Sequence, residues 1–306
     1  MVNKNTFIYV LIPIFEDFAC LPILLNKIKN SLSNIADYRV LVIDDGSYNG
    51  LHDKLLLNKD SSLEILTLSK NVGHQRSIAI GLCYLDRNKD FDYILVMDGD
   101  GEDNPQDAIN LIRTAEASTE DKVIFARRDT RSEPFSFKIG YLLYRLFFRI
   151  LTGDKIKFGN FSLVPRSLVD RLTGIPDIWN HYAASVLSSK IPYEEISSKR
   201  SGRIHGRPKM NLTNLILHGM SAFSVFLQII LFRLFLLVSI VNACGLTLLF
   251  IESLGVLNIN KFANITSIIF LMTNLMFISF ISLLFVLSNR SLAPCIPKTF
   301  WHHFIK

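Results

Sequence analysis

VLVIDDGS, from Val40 to Ser47, and YILVMDGDGEDNP, from Tyr93 to Pro105, decide the fold. Each is a short aliphatic run that stops on carboxylates, Asp44 and Asp45 in the first and Asp98 and Asp100 in the second. Continuous apolar runs of this length, closed by aspartate and glycine, read as strands buried on both faces. In open α/β sheets ligands bind beyond the carboxyl ends of the strands, so the two acidic clusters are placed to converge on one crevice.

Outward from these runs, strand-like and helical patterns alternate. FIYVLIPIF (Phe7 to Phe15) precedes a helical Leu21 to Leu32, LEILTLS precedes His74 to Leu85, and Pro105 to Ala117 separates YILVMD from KVIFA. Such alternation predicts βαβ units, hence an α/β fold with a mostly parallel sheet and helices on both faces. No GxGxxG follows the first strand and no Walker A motif is present, which disfavours a dinucleotide oxidoreductase or a P-loop NTPase.

The composition is 49% hydrophobic, too apolar for an ordinary soluble enzyme. The excess is localised. Leu234 to Ile251 and Ile265 to Leu287 carry no charge, and each is long enough to cross roughly 30 Å of hydrocarbon. Arg200, Arg203, Arg207, Lys209 and Arg233 precede the first run, Arg290, Lys298 and Lys306 follow the second, and Glu252 and Lys261 lie between. This bias predicts two spans with both ends cytoplasmic. Pro13, Glu16 and Asp17 interrupt the first apolar run, so it does not read as a signal peptide.

Lys138 to Thr152 places Lys138, Arg145 and Arg149 on one helical face beside Leu142, Leu143, Leu146, Phe147 and Ile150. It reads as a helix on the membrane surface, the alternative being a buried helix with snorkelling arginines. Leu212 to Phe232, apolar but dotted with Asn214, His218, Ser221 and Gln228, reads as an interfacial helix. The expected organisation is a domain over 1–210, a juxtamembrane amphipathic helix over 211–233, a transmembrane hairpin over 234–290 and a cytoplasmic tail over 291–306. Cys20, Cys83, Cys244 and Cys295 lack CxxC spacing and read as structural thiols. The net charge of +6 suits anionic lipid or phosphorylated substrates. Nucleic acid is the poorest partner, because no interleaved aromatic and basic module is present.

The chemistry rests on Asp98-Gly99-Asp100, whose hard oxygen donors suit Mg²⁺ or Mn²⁺ and, through the ion, a diphosphate leaving group. Taken alone this is a turn, and Asp103-Asn104-Pro105 is also a good helix start. Arg127, Arg128 and Arg131, after KVIFA, read either as phosphate ligands or as a solvated turn.

The strand-end DDGS, then KNVGHQRSIAIGL (Lys70 to Leu82), MDGDGEDNP (Met97 to Pro105) and RIHGRPKM (Arg203 to Met210) occur in that order. Over Phe7 to Met210 the chain resembles the family 2 glycosyltransferases of GT-A fold, in particular the polyprenyl-phosphate glycosyltransferases related to dolichol-phosphate mannose synthase. The resemblance implies a Rossmann-like nucleotide-sugar-binding domain, followed by interfacial helices and two transmembrane helices. It implies that Asp44 and Asp45 contact base and ribose with Pro13 shaping the pocket, and that Asp98 and Asp100 lie at ribose and metal. It further implies that Arg203, Gly206 and Lys209, with Arg207 alongside, grip phosphates in a closing loop, and that FGNFSLVP is a substrate-facing strand and turn, where Asn160 reads either as a ligand of sugar hydroxyls or as a turn former. Glu102 stands where the family commonly has glutamine, Tyr48-Asn49-Gly50 lacks the family's aspartate after DDGS, and Pro208 replaces a serine.

The implied activity is inverting transfer from a nucleotide-diphosphate sugar to a polyprenyl phosphate at the cytoplasmic face of a bacterial inner membrane. A phosphate acceptor is already ionised and needs positioning and charge neutralisation rather than a base. The alternatives are the same fold glycosylating a hydroxyl with His181 as base, and a non-catalytic membrane scaffold. No QxxRW-like motif points to a processive synthase. Sugar, nucleotide and oligomeric state, a homo-oligomer included, stay open.

Overall fold

The computed structural model describes residues 6–48, 62–128, 135–155, 158–198, 202–205, 212–254, 261–291 and 296–306. The strands are β1 Phe7–Ile14, β2 Asp37–Asp44, β3 Leu63–Thr67, β4 Tyr93–Val96, β5 Val123–Arg128, β6 Phe158–Pro165 and β7 Tyr193–Ser198. The helices are α1 Leu21–Leu32, α2 His74–Asn88, α3 Pro105–Ala117, α4 Phe135–Thr152, α5 Arg166–Thr173, α6 Tyr182–Ser188, α7 Leu212–Val225, α8 Leu227–Ser253, α9 Lys261–Ser291 and α10 Pro297–Phe300. They form two compact units. One holds the strands, the helices through Val225 and the last residues of the chain; the other holds Leu146–Gly153 with α8 and α9.

In the first unit the sheet order is β3-β2-β1-β4-β6-β5-β7. β1 pairs in parallel with β2 and β4, as does β2 with β3 and β5 with β7. β6 runs antiparallel to β4 and β5, so the sheet is mostly parallel, as expected, with one strand reversed. β1 shows why both faces are covered. Ile8, Val10, Ile12 and Ile14 pack with Leu21, Leu24 and Ile28 of α1 and Leu111 and Ile112 of α3. Tyr9 and Leu11, on the opposite face, pack with Ile78, Leu82 and Leu85 of α2. A period of two distributes one unbroken apolar run between two cores.

The C-terminal residues belong to this unit instead of trailing from it. Trp301 is buried and meets Tyr84 of α2 edge to face, with ring centroids 5.9 Å apart. Phe304 O accepts from Ser69 N at 2.8 Å and Lys306 N donates to Thr67 O at 3.0 Å, so the chain end lies along β3. Lys298 pairs with Asp86 at 3.4 Å and also with Asp170.

In the second unit, Leu227–Ile251 and Ser267–Leu284 have mean hydropathies of 2.5 and 2.2 and are long and apolar enough to cross a membrane. At about 1.5 Å per residue the first spans about 37 Å. Their outward residues, among them Leu237, Ile240, Phe250, Met272 and Met276, are exposed, as expected of surfaces whose solvent is hydrocarbon. Gly245 lets the helices close: a Cβ there would stand 3.0 Å from Leu271 Cδ2. The helix from Leu212 ends at Val225 and α8 runs continuously from Leu227. Arg233 therefore lies inside the apolar helix. Its Nη1 donates to Ile150 O at 2.9 Å, setting the cation on the carbonyl end of α4 where the helix dipole is negative. On α4, Leu146, Phe147 and Ile150 are exposed and Phe148 is buried.

Candidate active site

Chain order reverses at β1, with β2 and β3 on one side and β4 on the other. This is the switch point at which open α/β sheets hold ligands. The register sets Ile14 beside Asp44 and Leu11 beside Val96, so both acidic clusters flank the end of β1. Gly99 lies directly on that end. A Cβ there would stand 2.8 Å from Ile14 Cγ1 and 3.1 Å from Pro13 O, which excludes a side chain and keeps Pro13 against the Asp98-Gly99-Asp100 turn.

The two clusters differ in what they do. Asp44 and Asp45 are 1% and 3% exposed. Asp44 Oδ1 accepts from Ser47 N at 3.1 Å, closing its own turn. Asp45 accepts from Val72 N at 2.7 Å and Gly73 N at 2.9 Å, which anchors the loop leading into α2. Burial pushes the Asp45 carboxyl up, and these two N–H donors pull it back. The pair expected at base and ribose thus holds the two loops that would wall such a pocket.

Asp98 and Asp100 retain 25% and 21% side-chain exposure and face His74 and Arg203. His74 Nε2 lies 3.0 Å from Asp98 Oδ1. Burial alone would lower this imidazole, but Asp98, Asp100 and Asp103 outweigh it and hold it above the ordinary histidine value. Asp103 Oδ2 accepts from Asp98 N at 3.0 Å, and Asn104 caps α3 by accepting from Gln106 N at 3.2 Å. Asn160, on β6, brings Nδ2 within 3.0 Å of His74 Nε2 and 3.5 Å of Asp98 Oδ1. Its orientation is relayed: Gln75 Oε1 accepts from Tyr182 N at 2.7 Å, so Gln75 Nε2 donates to Asn160 Oδ1 at 3.2 Å and the Asn160 amino group is turned to the crevice. Sequence reasoning assigned His74 and Gln75 no role. The signals were their place in KNVGHQRSIAIGL and a polar His-Gln-Arg triplet opening a helix whose following residues are apolar.

Arg203 crosses the mouth of the crevice. Its guanidinium pairs with Asp17 and lies 3.4 Å from Asp100 Oδ2. Ile204 N donates to Asp100 O at 3.1 Å, and a Cβ on Gly101 would stand 2.2 Å from Ile204 Cδ1. Residues 203–205 therefore fold over the acidic turn, and Arg203 binds carboxylates here. Gly206, Arg207, Lys209 and Arg131 lie outside the described residues, as do the side chain of Arg128 and Cys295. Arg127 pairs with Glu195 of β7 at 3.6 Å, a partner the phosphate reading did not anticipate. Cys20 and Cys83 are buried; burial and Asp17 push the Cys20 thiol up, and burial pushes Cys83 up to about 12. Cys244 is exposed.

Among the described residues no group of three His, Cys, Asp or Glu is arranged to hold a metal ion. The donor set still fits Mg²⁺ or Mn²⁺, because such ions are commonly held by one or two carboxylates with water and substrate phosphate completing the shell. Asp98 and Asp100 would be those carboxylates, with Arg203 yielding or sharing Asp100.

His181 sits elsewhere. It is 5% exposed, its Nδ1 accepts from Ala184 N at 3.2 Å as the N-cap of α6, and its ring stacks on His218 with centroids 4.8 Å apart. Burial, with His218 beside it, lowers its pKa to about 3. A neutral ring whose Nδ1 accepts carries its proton on Nε2, so no ring lone pair is left to act as a base without breaking the cap.

A GT-A-like α/β domain with an acidic turn at the switch point defines the class. The glycosyl transferase family 2 model matches residues 9–173, and the chain belongs to that family. It is 23% identical over 223 residues to the undecaprenyl-phosphate 4-deoxy-4-formamido-L-arabinose transferase of Aeromonas hydrophila, covering 68% of this chain and 64% of that protein. It is also 23% identical over 228 residues to the uncharacterized glycosyltransferase YkcC of Bacillus subtilis, covering 71% and 67%. Among solved structures, glucosyl-3-phosphoglycerate synthase from Mycobacterium tuberculosis, in complex with Mn²⁺, uridine diphosphate and glucosyl-3-phosphoglycerate, superposes with a TM-score of 0.54 at 12% identity, over 73% of this chain and 80% of that one. That likeness concerns the fold.

Proposed function

We propose that this chain is an inverting, metal-dependent glycosyltransferase that moves a sugar from a nucleotide-diphosphate sugar to a polyprenyl phosphate at the cytoplasmic face of a bacterial inner membrane. The observation that carries the reading is the Asp98-Gly99-Asp100 turn at the switch point of a family 2 domain, closed over by Arg203. The names of the undecaprenyl-phosphate transferases among the relatives support the acceptor class. A bound divalent cation would neutralise charge on the leaving diphosphate. Asp98 and Asp100 would hold it, Pro13 and the loops pinned by Asp44 and Asp45 would seat the nucleotide, and Asn160 would donate to a sugar hydroxyl. Arg203, with Arg207 and Lys209, would turn to the phosphates once the donor occupies the crevice.

An ionised lipid phosphate attacks the anomeric carbon directly, with inversion and without a base. The state of His181 favours this over a hydroxyl acceptor, since its Nδ1 is committed to the α6 cap. The carboxylates facing ligand space argue against a scaffold. The division proposed is a catalytic domain up to about residue 210, interfacial helices α4 and α7, and the α8–α9 hairpin. Return of the chain end to the unit that holds the strands supports an even number of crossings, hence two spans.

The test is to incubate the purified protein with polyprenyl phosphate, Mg²⁺ or Mn²⁺ and a panel of nucleotide sugars, and to weigh the lipid products. A glycosyl phosphodiester, cleaved by mild acid and lost on chelation, is expected. An acid-stable glycoside would favour the hydroxyl acceptor, and no binding of any nucleotide sugar would favour the scaffold.

A further inference from the structure

Within the first unit, on the outer side of the start of α2, lies a cavity of about 360 Å³ lined by none of the acidic crevice residues. Three rings form its wall: Trp179 stands 5.1 Å from Phe300 and 5.3 Å from Phe304, centroid to centroid. Two cations border it, Lys70 with Nζ 5.7 Å from the Phe304 ring centroid and Arg76 with Cζ 5.6 Å from that of Trp179. Neither cation has a carboxylate within 4.0 Å among the described residues. Both side chains are exposed.

Rings alone would describe a seam that seals the chain end. Two cations with no carboxylate partner among the described residues, above a ring-lined hollow, describe a receptor for a dianion with an apolar body. A phosphate monoester carries a charge of about −1.5 to −2 near pH 7, which Lys70 and the guanidinium fork of Arg76 match, the latter in bidentate fashion. The volume lies near the lower end of the roughly 300–1,000 Å³ usual for small-ligand sites, so only the phosphate and a ring-sized or short isoprenoid portion would be enclosed.

We propose that this cavity is a second ligand site, separate from the donor crevice, for a phosphate monoester with an apolar body. Its wall is built partly by the chain end through Phe300 and Phe304, and partly by Val72, whose N–H holds Asp45. Occupancy is thereby linked to the loop that walls the donor crevice. Two sources supply the chemistry, the head of an isoprenoid phosphate or a soluble phosphorylated metabolite.

The full chain in detergent is titrated calorimetrically with farnesyl phosphate, phenyl phosphate, inorganic phosphate and farnesol. At least one monoester is expected to bind at least 10-fold more tightly than inorganic phosphate and farnesol, and to perturb Trp179 fluorescence. Binding of farnesyl phosphate alone supports the lipid source; binding of phenyl phosphate as well supports a soluble one. The Lys70→Gln/Arg76→Gln variant should weaken binding by about 30-fold or more, since a hydrogen bond to a charged group contributes about 1.5–3 kcal/mol. Arg76→Gln alone gives a partial loss should the double variant fold poorly, and Arg76→Lys restores part of it. A nucleotide sugar should not displace the monoester, which keeps this result independent of the transfer reaction. No binding, equal binding of inorganic phosphate, or affinity unchanged in both charge-removal variants would overturn the proposal.

Discussion

The two acidic strand ends look interchangeable in sequence and are opposites in the fold. Asp44 and Asp45 are buried and accept from backbone N–H groups. Asp98 and Asp100 are partly exposed and face His74 and Arg203. A carboxylate committed to N–H donors organises loops, whereas one that is partly exposed and paired with side chains can exchange those partners for a ligand. Geometry at the end of β1 makes the difference: β2 ends against the loop entering α2, while β4 ends on a glycine turn open to one side.

The largest effect expected from this contrast is on transfer at Asp100. Asp100→Ala should lower kcat by at least about 10²-fold, the range for losing one group that stabilises developing charge, with melting temperature and nucleotide binding largely kept. Steady-state assays over a range of Mn²⁺ concentrations check it, and near-normal turnover in metal-free buffer would break the distinction between the two clusters.

Asp45→Asn should show the reverse pattern. Replacing one acceptor oxygen by an amino group leaves Val72 N or Gly73 N facing a donor, at a cost of about 1–3 kcal/mol. Denaturant unfolding should record the loss. A variant equally stable but inactive would place Asp45 among the ligand-facing groups.

A smaller effect concerns His181, a titratable residue whose role is to organise the chain rather than to meet ligand. Its pKa in the fold is lowered to about 3 from an ordinary 6.5. The unfolded chain therefore takes up the proton first, and stability present above about pH 6.5 is lost as pH falls toward 3. Between pH 6.5 and 5 the loss amounts to roughly 2 kcal/mol, at 1.36 kcal/mol per unit. His74 has the opposite sign. Its raised value contributes stability below about 6.5 that fades as pH rises through the folded value. His181→Asn, which can keep the cap without titrating, should match the parent near pH 8 and lose less stability than the parent at pH 5. Thermal melts across pH check this, and an acid slope unchanged in the variant would overturn the assignment of His181 as a buried, neutral cap.

Much of the fold was legible in the chain because it depends on local period and punctuation. Leu21 to Leu32 and Pro105 to Ala117 match α1 and α3 end to end, since Pro22, Pro105 and the Asn104 cap fix where those helices start. The unbroken apolar β1 called for cover on both faces, and the two charge-free runs announced α8 and α9. The reversal of β6 was not legible, because strand direction is settled by which neighbour a strand meets rather than by its own residues. Nor was the docking of the chain end, whose Trp301 is a burial signal without an address.

By itself the sequence determined that carboxylates would stand at strand ends, that a glycine would allow one cluster to turn, and that a hydrophobic hairpin would follow. Only the tertiary structure decided which carboxylates are spent on backbone N–H groups, that His181 caps a helix, that Gln75 and Asn160 relay their orientation to Asp98, and that the last residues complete the wall of a cavity. The physical reason is range. Helix, strand and span follow from interactions between near neighbours and with solvent, whereas the state of a polar group depends on donors and acceptors brought to it from distant parts of the chain.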